Sequence, residues 1–178
     1  MSGSTPPEAA PLAVGLPAAD VVGALDDSGV THVVTVPDTH QRSVLAALDH
    51  HPRLALVRAA TEDDVLGICG GLWMAGCRPV ALIQQLGLFA AANALRGLTH
   101  DLGLPLAVLA GLYGRDVHLP AADSPRSAVR SCAPLLAALE LRAVAVEGPA
   151  DLAMVGRTIG DVFTTGRSAV VVLGAPTR

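Results

Sequence analysis

Six short runs of β-branched and aliphatic residues, each separated from the next by a longer amphipathic run, constrain this chain more than any other feature. The short runs fall at 31–36, 53–59, 79–84, 104–110, 142–146 and 168–173. Helical patterns fill the intervals at 18–27, 41–50, 62–75, 88–102, 133–139 and 149–163. Strands alternating with helices of this length predict βαβ units and a parallel sheet covered on both faces. A run such as Ala169-Val170-Val171-Val172-Leu173 has no polar alternate, as a strand buried on both sides requires. The expected fold class is therefore α/β, a three-layer α/β/α arrangement around a mostly parallel, roughly six-stranded sheet. Hydrophobic residues make up 51% of the 178 but aromatic ones only 2%, so Ala, Val, Leu and Gly must fill the core. The longest irregular stretch is 113–130, rich in Pro, Asp and Arg; long loops of this kind are often functional.

Charge and termini exclude several function classes. A net charge of −4 offers no basic face for nucleic acid. No run of about 18 apolar residues is present, which argues against a membrane span. Residues 1–14 lack a basic segment ahead of an apolar one and read as a flexible leader before a single domain at 15–178. Cys69, Cys77 and Cys132 are odd in number and lack CxxC spacing, so buried thiols in a cytoplasmic protein are expected rather than disulfides or a zinc site.

In open α/β sheets ligands sit at the carboxyl ends of the strands. Topology gathers Pro37-Asp38-Thr39-His40, Ala60-Thr61-Glu62, Gln84-Gln85-Leu86-Gly87 and the loop after Ala110 at that edge. Thr61 can cap the helix that follows it, with Asp64 in the partner position of a capping box. Read by itself, Glu62 is an acid placed to complement the helix dipole, worth about 0.3–1 kcal/mol. Gly67, Gly70, Gly71 and Gly76 weaken that helix, since each interior glycine costs roughly 0.8–1.0 kcal/mol relative to alanine. Tolerating several predicts close backbone approach on their face. His40 is either a solvent-facing turn residue or a proton shuttle, with a reference pKa near 6.5. Arg115, Arg126 and Arg130 flank the long loop, as solvated cations or as bidentate partners for an anion. The remaining histidines have no metal-ligand spacing, and no strand leads into GxGxxG or a P-loop lysine.

Four segments together carry a resemblance. The run Glu62-Asp63-Asp64-Val65-Leu66-Gly67-Ile68-Cys69-Gly70-Gly71 with Ala75-Gly76-Cys77-Arg78-Pro79-Val80, then Gln84-Gln85-Leu86-Gly87-Leu88, then Asn93-Ala94-Leu95, is similar to the sulfopyruvate and phosphonopyruvate decarboxylases. Val36-Pro37-Asp38-Thr39 resembles their first-strand turn. Leu104-Pro105-Leu106 and Leu135 to Leu139 resemble a later strand and helix, so the likeness runs from about residue 18 to the end. The resemblance implies the pyrimidine-binding domain of a thiamine-diphosphate-dependent carboxy-lyase acting on a small 2-oxo acid. Glu62 would then activate the cofactor's aminopyrimidine, and His40 would be a second catalytic group. Gln84, Gln85, Gly87 and Pro37 would shape the cofactor pocket, while Asp38, Thr39, Leu86 and Arg115 would meet the substrate.

The resemblance also implies a partner. Gly160-Asp161 is followed by Val162, not by the Gly of the family's metal-binding turn. A separate diphosphate-binding β subunit is expected to hold the diphosphate and Mg2+, with no metal ligand from this chain. A hetero-oligomer with an α-α or α-β interface follows. Leu86, Phe89 and Ala90 replace the family's Ser, Gly and Asn, and Tyr113-Gly114 replaces its Arg-Gly. These changes make the pocket wall bulkier and less polar, so a less polar 2-oxo acid also remains open. So do an acyloin or acetolactate-type synthase and a non-catalytic assembly subunit.

Overall fold

A computed structural model describes residues 15–178. The expected leader at 1–14 lies outside them. Six strands form one all-parallel sheet: β1 (His32–Thr35), β2 (Ala55–Arg58), β3 (Pro79–Gln84), β4 (Ala107–Gly111), β5 (Arg142–Val146) and β6 (Ala169–Leu173). Their spatial order is β2-β1-β3-β4-β6-β5. Each predicted run became a strand, trimmed by up to three residues at its start and one at its end, except that β4 runs one residue further, to Gly111. The order reverses between β1 and β3, which opens a crevice at their carboxyl ends.

Strand alternation divides the core in two. Val80 and Leu82 of β3 point to the face covered by α1 (Ala18–Asp27), α2 (Arg42–Leu48) and α8 (Ala153–Thr165). Ala81 and Ile83 point to the face covered by α3 (Glu62–Met74), α4 (Gln85–Ala90), α5 (Ala92–Arg96), α6 (Ser127–Arg130) and α7 (Cys132–Ala138). This is the arrangement that right-handed crossovers give. Buried Leu66, Leu88, Leu95 and Leu136 fill the second core. Each contributes about 1.5–3 kcal/mol by leaving water. The central strands β3 and β4 are buried except for the half-buried Gln84 that ends β3, whereas β2 and β5 at the sheet edges keep exposed residues, including Arg58 and Arg142. Charged residues on edge strands discourage pairing with other sheets. Residues 16 and 177 bridge in parallel, with the Leu16 amide donating to Pro176 O at 2.8 Å.

Two local expectations changed. The helical pattern at 88–102 is broken: α4 begins at Gln85, the chain kinks at Ala91, and α5 runs into a π turn at Gly97–Asp101. The stretch 113–130 carries a 3₁₀ turn (Ala121–Asp123) and α6. Cys69 and Cys132 are buried free thiols, pushed up to about 12 and about 11 by burial, and Cys77 is free and half-buried.

Candidate active site

Glu62 opens α3 just beyond the carboxyl end of β2. Thr61 caps that helix as expected, its Oγ1 accepting from the Asp64 amide at 3.2 Å. The Glu62 side chain is half-buried and lies across the first turn of α4. A Cβ at Gly87 would stand 2.5 Å from Glu62 Cγ and 3.0 Å from Oε1. Residue 87 thus has no side chain because the glutamate occupies that space. This close approach belongs to Gly87, not to the glycines of α3 singled out by sequence. Of those, only Gly70 is crowded, with its Cβ position 3.2 Å from Leu104 Cδ1; Gly67, Gly71 and Gly76 face open space.

The other end of the 84–87 segment is held from β1. Gln84 Nε2 donates to Asp38 Oδ1, which also accepts from the His40 amide at 2.7 Å. Asp38 Oδ2 is buried and has no partner. Gln41, the first residue of the helical pattern at 41–50, is 1% exposed and crosses the crevice. Its Nε2 donates to Ile83 O at 2.7 Å while its Oε1 stays unpartnered. A buried acceptor left without a donor is costly, and such groups mark places built for something else. Two such acceptors in the β1/β3 crevice, beside a segment that also carries Glu62, make a cradle for a ligand that donates hydrogen bonds. Only its position after β1, at the switch point, gave a sequence signal for Gln41.

His40 packs on the end of β4. A Cβ at Gly111 would be 2.9 Å from its Cδ2, and its ring meets Tyr113 edge-on at 5.7 Å between centroids. Burial lowers its pKa, and the Asp38 charge partly opposes this. His40 is therefore a half-buried residue of the site, not a solvent-facing turn histidine. Gln85, 1% exposed, gives both ends of its amide to one residue: Nε2 donates to Tyr113 O at 2.8 Å, and Oε1 accepts from the Tyr113 amide at 2.7 Å. It ties the β4 loop to α4. Pro37 and Thr39 are exposed at the mouth of the crevice, and Leu86 is exposed on α4.

Arg115 is not brought to this cluster. Its guanidinium pairs with Glu147 at 2.8 Å beyond the ends of β5 and β6, and its side chain is 8% exposed. Asp38, His40, Gln41, Gln84, Glu62 and Gly87 form one connected group around the crevice; Arg115 closes the far side of the sheet. No group of three or more His, Cys, Asp or Glu that would hold a metal occurs among the described residues. Nor is any helix long and apolar enough to cross a membrane.

Comparison with known proteins gives the family and the fold. Residues 18–119, more than half of the chain, match the family "Thiamine pyrophosphate enzyme, N-terminal TPP binding domain". The sulfopyruvate decarboxylase subunit alpha of Methanothermobacter thermautotrophicus is 26% identical over 153 residues, covering 86% of this chain and 92% of that protein. A sulfopyruvate decarboxylase of Methanosarcina acetivorans is 31% identical over 99 residues, covering 55% of this chain. A phosphonopyruvate decarboxylase of Streptomyces viridochromogenes is 29% identical over 98 residues. The match spans only 25% of the length of each of these last two proteins. Among solved structures, a 2-oxoglutarate:ferredoxin oxidoreductase from Magnetococcus marinus superposes with a TM-score of 0.68 at 18% identity, covering 91% of this chain and 29% of that one. That likeness concerns the fold, and it matches the six-stranded parallel sheet described above. The chain belongs to the family of thiamine pyrophosphate enzymes, as their N-terminal, TPP-binding domain.

Proposed function

We propose that this chain is the pyrimidine-binding α subunit of a thiamine-diphosphate-dependent 2-oxo-acid decarboxylase of the sulfopyruvate type. The observation that carries the reading is the Glu62 side chain laid over Gly87, in a chain that aligns with 92% of a sulfopyruvate decarboxylase subunit alpha. The residues fit the cofactor. Glu62 supplies a carboxyl at the edge of a crevice, Gly87 leaves the space for it, and the unpartnered Asp38 Oδ2 and Gln41 Oε1 await donors. When bound, thiamine diphosphate supplies the nucleophilic carbon and the electron sink for loss of carbon dioxide.

The chain's own residues then have distinct tasks. Glu62 would hold the cofactor's pyrimidine through a ring nitrogen, a role that needs about 2.6–3.2 Å between heavy atoms. Gln84 fixes Asp38 Oδ1, which leaves Oδ2 buried and free to accept. Asp38 and His40 stand on the substrate side, and burial favours the neutral form of the His40 imidazole. Gln85 acts through the Tyr113 backbone, and Pro37, Thr39 and Leu86 line the mouth. A diphosphate-binding β subunit contributes the diphosphate and Mg2+ contacts. The name "subunit alpha" of the Methanothermobacter relative supports such a partner. The open space beside Gly67 and Gly71 on α3, next to Met74 at 72% exposure, leaves room for its approach. Three free thiols suit a cytoplasmic setting.

The test is carbon dioxide release from sulfopyruvate by this chain mixed with its candidate diphosphate-binding partner, thiamine diphosphate and magnesium. Release is expected only with both chains, and Glu62→Gln should lower it by about 10²–10⁴-fold. Release that ignores Glu62→Gln would reject the catalytic reading and favour an assembly role. A mixture that binds the cofactor yet releases nothing from sulfopyruvate would reject the substrate.

A further inference from the structure

The long loop carries three arginines, and the structure separates them. Arg115 is committed to Glu147, and Arg130 donates to Ser124 O at 2.6 Å. The Arg126 guanidinium has no acceptor among the described residues. Yet it is positioned: its stem lies across the backbone at Gly114, where a Cβ would stand 2.6 Å from Cδ and 2.7 Å from Nε. Gly114 has φ +78°, a conformation that side chains disfavour, so the residue is glycine on two counts. Next to it, Tyr113 is clamped by both ends of the Gln85 amide. The Arg126 amide donates to Ser124 Oγ at 3.3 Å. The arginine therefore sits on a braced loop, attached to the same 84–87 segment that carries the Glu62 cradle.

Arg126 borders a cavity of about 390 Å³ whose other walls are Gln85, Leu86, Tyr113, Pro125, Ser127 and Ala128. A smaller hollow of about 250 Å³ continues from it past Phe89. Of the bulky replacements in the sequence, Leu86 is thus an apolar wall of the cavity that Arg126 borders, and Phe89 walls the hollow beside it. Apolar walls reduce the local dielectric and strengthen a charge pair formed there. The guanidinium's parallel donors match a carboxylate, sulfonate or phosphonate.

We propose that Arg126 is the specificity-determining residue of this site and receives the distal anionic group of a short 2-oxo acid. The assignment rests on the decarboxylase reading above for the word "substrate", and on Arg126, Gly114 and the cavity for the anion. The loss of polar groups at 86, 89 and 90 is then no loss of anion recognition, because recognition comes from the opposite wall.

The full chain is titrated with 3-sulfopropanoate, 3-phosphonopropanoate and succinate, unreactive compounds with an anionic tail, and with butanoate as the uncharged-tail control. Amide chemical shifts of Tyr113, Ser127 and Ala128 report binding. The anionic-tail compounds should shift them and butanoate should not, and the three tails rank the anion the pocket prefers. Arg126→Gln should weaken binding roughly 10–100-fold, and Arg126→Lys should recover only part of it. Arg157→Gln on α8 should leave it unchanged. Absent shifts with wild type, or equal affinity in Arg126→Gln, would overturn the proposal. In the two-chain enzyme, Arg126→Gln should raise KM for sulfopyruvate while leaving kcat and the KM for pyruvate near wild type. Decarboxylation with an unchanged sulfopyruvate KM in Arg126→Gln would sink the anion site and keep the enzyme. Arg126-dependent binding without any decarboxylation would sink the enzyme reading and keep the anion site.

Discussion

The two halves of the sheet's carboxyl edge are built from similar residues and end in opposite states. Over β5 and β6, the Arg115 guanidinium pairs with Glu147 and closes the surface, with Arg115 Nε left buried without an acceptor. Over β1 and β3, Asp38 and Gln41 are pinned through one atom each, while Asp38 Oδ2 and Gln41 Oε1 remain buried without donors. One half has neutralised its charges in an ion pair and leaves over only a donor; the other has kept two acceptors in reserve. The chemistry is read from the unfinished half. Charged residues alone would have directed attention equally to both.

The largest expected effect that breaks this contrast comes from Gly87→Ala. The new methyl would meet Glu62 Cγ at 2.5 Å, so the flexible glutamate must swing aside. Displacement of a catalytic group by about 1 Å can cost about 10²-fold, and turnover of the two-chain enzyme should fall by that order. The isolated chain should lose less than about 1 kcal/mol in urea unfolding, since a side chain and not the backbone gives way. Equal turnover in Gly87→Ala would detach Glu62 from the chemistry.

Arg115→Ala probes the finished half and should do the reverse. Loss of the ion pair and of a well-packed stem should cost about 1–3 kcal/mol of stability, with kcat within about twofold of wild type. A variant of undiminished stability and impaired turnover would merge the two halves into one site. The smallest effect sharpens the comparison through His40. Its pKa is lowered in the folded chain, so its contribution to stability is complete above about pH 6.5. As pH falls below that value the unfolded chain takes up the proton first, and the contribution drains away. Stability should therefore decline less steeply between pH 6.5 and 5 in His40→Gln than in wild type, as urea midpoints would record. Identical slopes would mean that His40 is solvated.

Much of this was legible in the residues. Apolar runs marked all six strands because a sheet covered on both faces admits few polar side chains, as in β3 and β4. Thr61 announced the start of α3 by its capping chemistry. The break at Ala91 was hidden, since Leu88, Ala91 and Leu95 are all buried and fit one continuous helical stripe. What starts α4 early is Gln85 reaching across to the Tyr113 backbone, a contact made 28 residues away. The same distance problem concealed Gln41, whose partner is a carbonyl on β3. Three arginines near one loop are indistinguishable in one dimension; only the position of Glu147 and of Ser124 O tells which two are occupied.

The burial of two thiols has a practical consequence. With Cys69 and Cys132 pushed up to about 12 and about 11, almost no thiolate exists at either near neutral pH. Cys77, half-buried just past the end of α3, is left as the accessible sulfur. A maleimide dye would therefore tag the natural chain at one position without any engineering. That position stands near the exposed end of the helix that Glu62 begins, so arrival of a second subunit there could be followed by fluorescence in real time.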